Sequence, residues 1–173
     1  GDTTMMQDIA LAQNPNDRER GILENDADAA SAWVQAAAWA IGIASTYSHT
    51  RPDSGDSMYL GRADALRHCL WNAYMAFMLG EGRAKNLADA HELPRPPTEH
   101  NSNVDREMDL FNNRVGRMLG QTARDGNAIT RAFALSFIAA AAISFLNDGS
   151  LKVVDRTDNS KWRLVPSNTD GIS

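Results

Sequence analysis

The sequence predicts an all-α fold, a helical bundle of five to six helices with a central apolar helix and a small C-terminal β-hairpin. Three observations carry this. Apolar residues recur at helical spacing in one segment after another. The stretch 129–146 is nearly all apolar and has the length of a helix. Strand-like runs are confined to 151–155 and 162–165, on either side of a polar turn. At 173 residues the chain is long enough for one domain with a real core. We read 1–173 as a single domain, with an N-terminal arm over 1–25, a helical core over 26–146, and a hairpin and tail over 147–173.

Residues 1–25 are polar, Asn14-Pro15-Asn16-Asp17 is a turn signal, and 5–13 is expected as a short helix docked on the body. Asp26 and Asp28 can cap and charge the next helix, 29–46, where Trp33, Val34, Ala37, Ile41 and Ala44 keep helical register. Residues 48–58 hold the densest turn-forming run and read as a loop. A helix follows over 61–79, and Gly80 and Gly82 bracket its end. The shorter helix 83–92 places Ala84, Leu87, Ala88 and His91 on its inner side. Pro94, Pro96 and Pro97 forbid its continuation, which makes 93–103 an exposed loop. Met108, Phe111, Val115, Met118 and Leu119 give 104–122 the 3.6-residue period. The apolar stretch 132–146 falls short of the roughly 20 residues that a bilayer span needs. It is therefore expected as the buried centre of the bundle, ended by Asn147-Asp148-Gly149. The last eight residues are expected to fray.

Hydrophobic residues make up 43% of the chain and charged residues 23%, as in an ordinary soluble globular protein. A net charge of −5 disfavours nucleic acid as a bulk electrostatic partner, without excluding a local basic groove. Cys69 is the only cysteine, so a disulfide framework and a Cys-based zinc site are both excluded, and Cys69 reads as a small buried hydrophobe. The first residues carry neither the basic nor the apolar region of a leader.

The chemistry centres on Asp64-Ala-Leu-Arg67-His68-Cys69-Leu-Trp71-Asn72. Residues four apart share a helix face, so Asp64, His68 and Asn72 stack in one column, with Arg67 and Trp71 in a second beside it. Two further polar groups lie on apolar elements. One is the pair His91-Glu92. The other is Asp109, Asn112 and Asn113, with Gly116 leaving room for another helix to approach closely. An antiparallel bundle could bring all three to one level. With a divalent metal, zinc or another ion, His68, His91, Asp109 and Asp64 form a plausible N/O ligand set. Glu92 would then act as general base on metal-bound water. Without a metal, one His would be the base, oriented by Asp64 or Asp109, while Arg67, Asn72, Asn112 and Asn113 hold the substrate or a developing oxyanion. H-E-x-x-H, G-x-S-x-G and a phosphate-cradling Gly loop are all absent. The same residues could also serve only to tie helices together, each polar group satisfying another. His49 and His100 read as solvated loop residues, Trp162 as a packing anchor, and Trp71 as core or pocket wall.

The ordered pattern D-A-x-R-H-x-x-W-N, A-H-E, M-D-x-x-N-N-x-x-G resembles an uncharacterised family of small all-helical bacterial domains, often found in secreted or toxin-like proteins. It is carried by Asp64, Ala65, Arg67, His68, Trp71 and Asn72, then Ala90, His91 and Glu92, then Met108, Asp109, Asn112, Asn113 and Gly116, within about 60–120. The resemblance implies a helical fold and a shared site, and names no reaction. The resulting expectation is a secreted or periplasmic effector, a toxin-like hydrolase. Its catalytic residues would be His68, His91, Glu92 and Asp109, its substrate a phospholipid or cell-envelope component, and its partner a cognate inhibitor protein. The alternatives are a non-enzymatic module that inserts into a membrane or binds a partner, and a nuclease.

Overall fold

A computed structural model describes residues 4–50, 58–92, 100–127 and 130–172. The fold is an all-α bundle with a C-terminal hairpin. Seven helices lie among the described residues: α1 (Met5–Ala12), α2 (Asp17–Asn25), α3 (Ala27–His49), α4 (Arg62–Leu79), α5 (Glu81–His91), α6 (His100–Asp125) and α7 (Arg131–Asp148). β1 (Lys152–Asp155) and β2 (Arg163–Pro166) pair antiparallel, with Val153 opposite Val165.

The centre is α4, packed chiefly on α6 and α3 with α5 and α7 alongside. Leu66, Leu70, Met75 and Cys69 are fully buried along it. Its extreme burial follows from the Ala-rich facing side of α3, where Ala36, Ala40 and Ala44 let the helix axes come close. The expected central place of 129–146 is thus taken by another helix. On α7 only one side is buried, through Ala134, Ile138, Ala142 and Leu146, while Phe133 and Phe137 face outward.

Residues 17–25, read from sequence as part of a polar arm, form α2. Asn16 accepts from the Glu19 backbone N–H at 2.9 Å and Glu19 accepts from the Asn16 N–H at 3.1 Å, a reciprocal cap that supports a short helix of low hydrophobicity. Leu23 anchors it in the core. Of the expected loop 48–58, 48 and 49 belong to α3 and 51–57 lie outside the described residues; of 93–103, 93–99 lie outside them and 100–103 open α6. His49 ends α3, exposed, with its Nδ1 on the Ser45 carbonyl at 2.7 Å. The tail does not fray as far as Ile172: Arg62 Nε donates to the Ser167 carbonyl at 2.7 Å, and Ser167 Oγ donates to the Leu146 carbonyl at 2.8 Å. Those bonds fasten the hairpin to α4 and α7.

α4 and α6 meet at two glycines. A Cβ built on Gly116 would lie 2.2 Å from the Cys69 carbonyl oxygen, and one on Gly120 would lie 2.1 Å from that of Ala73. The backbones therefore touch directly, which brings short polar side chains on the two helices within hydrogen-bond reach.

Candidate functional site

Asp64, His68 and Asn72 form the expected column on α4, only 5%, 3% and 0% exposed. The close crossing sets Asp109, Asn113 and Arg117 of α6 opposite them. These too are spaced by four residues and share a face.

Hydrogen bonds fix the orientation of Asn72, Asn113 and the His68 ring. A guanidinium can only donate, so Arg117 Nη1, 3.1 Å from Asn72 Oδ1, assigns that atom as the amide oxygen. Asn72 Nδ2 then donates to the His68 carbonyl at 3.0 Å and to Asn113 Oδ1 at 2.9 Å. Asn113 Oδ1 is therefore an acceptor, and His68 Nδ1, 3.1 Å away, must carry the proton. From the other side, Arg67 Nη2 lies 2.9 Å from His68 Nε2 and can only donate to it. Both ends demand the same tautomer, with Nδ1–H and a bare Nε2. Burial, with the Arg67 charge beside the ring, holds the His68 pKa down to about 4, so the ring is neutral near pH 7.

The Nε2 lone pair faces Asp64 Oδ1 at 3.5 Å and Asp109 Oδ1 at 3.2 Å. One ligand atom from each of these three residues fits within 4.8 Å of the other two. Asp109 Oδ1 is buried without a hydrogen-bond donor. Burial, then the charges of Glu92 and Asp64, pushes the Asp109 carboxyl up to about 9. Asp64 is held from both sides: Arg67 Nη2 donates to Oδ1 at 2.8 Å and the Leu60 backbone N–H donates to Oδ2 at 2.9 Å. Leu60 adopts the left-handed region, φ 61°, which costs a leucine roughly 1–2 kcal/mol. It keeps that conformation because Val154 N–H also bonds its carbonyl at 3.0 Å.

Other expected members take different roles. Asn72, Asn112 and Asn113 are 0% exposed, so they position neighbours and do not reach a substrate. Asn112 turns to the hairpin, donating to the Lys152 carbonyl at 2.8 Å and accepting from its N–H at 2.9 Å, as a strand edge would. Arg67 is the expected substrate residue that solvent reaches, its side chain one-third exposed.

His91 stands outside the ligand-spaced trio. Its Nδ1 is 3.0 Å from Glu19 Oε2, its side chain is 43% exposed, and its ring meets the edge of Trp71 at 5.1 Å between centroids. The hydrogen bond to Glu19 raises the His91 pKa. Burial alone would raise the Glu19 carboxyl, but bonds from His91, Asn16 and the Trp33 indole outweigh it and hold Glu19 low. Glu92, at the end of α5, is buried with Oε1 unpartnered, and burial raises its pKa. Cys69 is buried and its thiol is pushed up to about 12, which makes it inert as a nucleophile.

Glu19 and Arg117 were not among the residues singled out from the sequence. Asn16-x-x-Glu19 is a capping-box spacing, and Arg117 continues the Asp109–Asn113 column by another four residues.

A family model described as Domain of unknown function (DUF6973) matches residues 25–142, which takes in α3 and most of α7 beyond the motif-bearing stretch. No curated protein and no solved structure matches the chain.

Proposed function

The chain belongs to the DUF6973 family, and we propose that it is a hydrolase working with a divalent metal ion held by Asp64, His68 and Asp109. The observation that carries this reading is the unprotonated His68 Nε2, which accepts from Arg67 and lies 3.2 and 3.5 Å from two carboxyl oxygens. Two ligand atoms each about 2.1 Å from a shared ion lie roughly 3.0–3.4 Å apart in tetrahedral or octahedral geometry. An Nδ1–H bonded to an amide oxygen is the usual outer support of a metal-binding imidazole. Arg67 Nη2 bridges Asp64 and His68, and its partial exposure gives it room to swing aside.

Bound there, the ion would supply a water of lowered pKa. Glu92, buried with a free oxygen, takes a proton from the attacking water. Arg67 stabilises the negative charge that develops on the substrate. His91, half exposed and held by Glu19 with its pKa raised, would give a proton to the leaving group as the scissile bond breaks, while the proton taken by Glu92 returns to solvent. On the resemblance read from the motifs, we place the activity in a secreted effector acting on a phospholipid or cell-envelope substrate and restrained by a cognate inhibitor.

Titration calorimetry with zinc and manganese on the wild type and on Asp109→Asn tests this, together with release of products from phospholipid vesicles. Expected are a near-stoichiometric ion on the wild type, at least about tenfold weaker binding in the variant, and loss of hydrolysis with it. Folded wild type that binds neither ion would leave Arg67 as the cation of a purely structural network, and the proposal would be wrong.

A second reading draws on α7, which is long and apolar enough to cross a membrane and turns Phe133 and Phe137 outward. Vesicle leakage unaffected by Asp109→Asn would favour it.

A further inference from the structure

A cleft of about 690 Å³ opens between α2, α5, α6 and β2. Its walls carry Arg18, Lys85, Arg106, Arg114 and Arg117, a concentration of positive charge on a chain of net charge −5. Arg106, Leu110, Arg114 and Arg117 follow one another at spacings of four, four and three along one face of α6. Acids on the walls offset only part of this charge. Asp89 pairs with Lys85, while Glu107 and Glu92 are the others.

The guanidiniums are positioned with donors to spare. Arg106 Nε is buried and has no hydrogen-bond partner. Arg114 lies over the Phe111 ring, 5.6 Å from its centroid, and Lys152 Nζ lies 5.5 Å from the same ring. A cation held by an aromatic face keeps its N–H groups for a ligand. Leu110, Phe111 and Leu164 give the cleft an apolar wall beside these charges. Two members lead inward to the metal-ligand trio. Arg117 reaches Asn72, and the charge of Glu92, whose Oε1 is buried without a partner, acts on Asp109.

We propose that this cleft binds the phosphate group of an organophosphate substrate, with the apolar wall taking the uncharged part next to it. This deepens the hydrolase reading and rests on it. Guanidiniums match phosphate oxygens in pairs, and several of them around one cleft suit a group that offers three oxygens and up to two negative charges. The interspersed Glu107 and the acidic remainder of the molecule argue against a long polyanion.

Binding measured in the presence of a chelator separates this cleft from any metal. The probes are inorganic phosphate, glycerol phosphate, vesicles of phosphatidylcholine with and without phosphatidylglycerol, and duplex DNA, each against the wild type, Arg106→Gln and Arg114→Gln. Arg114 is exposed, so its variant keeps the fold, which circular dichroism checks. The expected result is roughly tenfold weaker binding of a phosphate-bearing probe in each variant. Binding of the soluble phosphates identifies a soluble substrate, and binding of phosphatidylglycerol vesicles alone identifies a lipid headgroup. Equal affinity in wild type and variants, binding to none of the phosphate probes, or a preference for DNA would each overturn the proposal. Phosphate binding that survives while metal binding fails would strike the hydrolase reading and leave the cleft.

Discussion

The tautomer of His68 is set on one side by Arg67, which bonds it directly, and on the other by Arg117, which shares no hydrogen bond with it. From Arg117 the information passes through Asn72 and Asn113, whose amides can satisfy their neighbours in only one orientation. Replacing Asn113 with leucine removes the acceptor for His68 Nδ1–H and for Asn72 Nδ2. We expect a stability loss of about 1–3 kcal/mol from the orphaned donors, and metal affinity weakened by roughly 10- to 100-fold in the protein that still folds. Calorimetry and denaturant titration report the two separately. A second residue-scale effect is pH-dependent. The folded His91 has a raised pKa because it gains Glu19, so its stabilising contribution is complete below its ordinary value of 6.5 and fades as pH climbs through the folded value. Glu19, held below its ordinary 4.5, contributes above that pH and loses its contribution on acidification. The stability gap between wild type and His91→Gln should therefore be constant between those limits and narrow on the alkaline side. A gap that widens as pH rises above 6.5 would reverse the assignment.

At the scale of elements, the contact between α4 and α6 builds the site, and two glycines make the contact. Alanine at Gly116 or Gly120 would drive a methyl into the carbonyl of Cys69 or Ala73, with no flexible side chain to yield. Each substitution should cost at least about 2 kcal/mol and pull Asp109 away from His68. The same change at Gly42, helical and with nothing within 4 Å, should stabilise by roughly 0.5–1 kcal/mol. Thermal melts of the three variants test the sign as well as the size. This contact was partly legible: the spacing of Asp109, Asn113 and Gly116 gave the facing side of α6, but that pattern stops one turn short of Gly120. The centre of the bundle was harder to see. Hydrophobicity alone favours α7, whereas burial depends on what stands opposite. Alanines on α3 and glycines on α6 gave the innermost place to α4, a helix that itself carries Arg62, Asp64, Arg67, His68 and Asn72. α2 escaped notice because its stability comes from a capping box and Leu23, not from an apolar stripe.

Across the whole molecule, the all-α bundle and its hairpin could be read from periodicity and turn residues, since both are local properties. The site could be read only as a list of residue types. Spacing places Asp64 beside His68, but that His68 meets Asp109 depends on how α4 and α6 cross, and that His91 pairs with Glu19 depends on how α2 and α5 lie together; neither is encoded along the chain. The basic cleft was hidden in the same way, because its cations come from α2, α5 and α6 and vanish into a net charge of −5. What unites the levels is a single arrangement, His68 Nε2 within 3.2 and 3.5 Å of the Asp109 and Asp64 carboxyls, which we assign to one cation. Anomalous diffraction at the zinc edge, from crystals grown with zinc, tests it most directly. The arrangement predicts one strong peak within bonding distance of Asp64, His68 Nε2 and Asp109, with Arg67 displaced. A map with no peak there, and Arg67 still bridging Asp64 and His68, would contradict it.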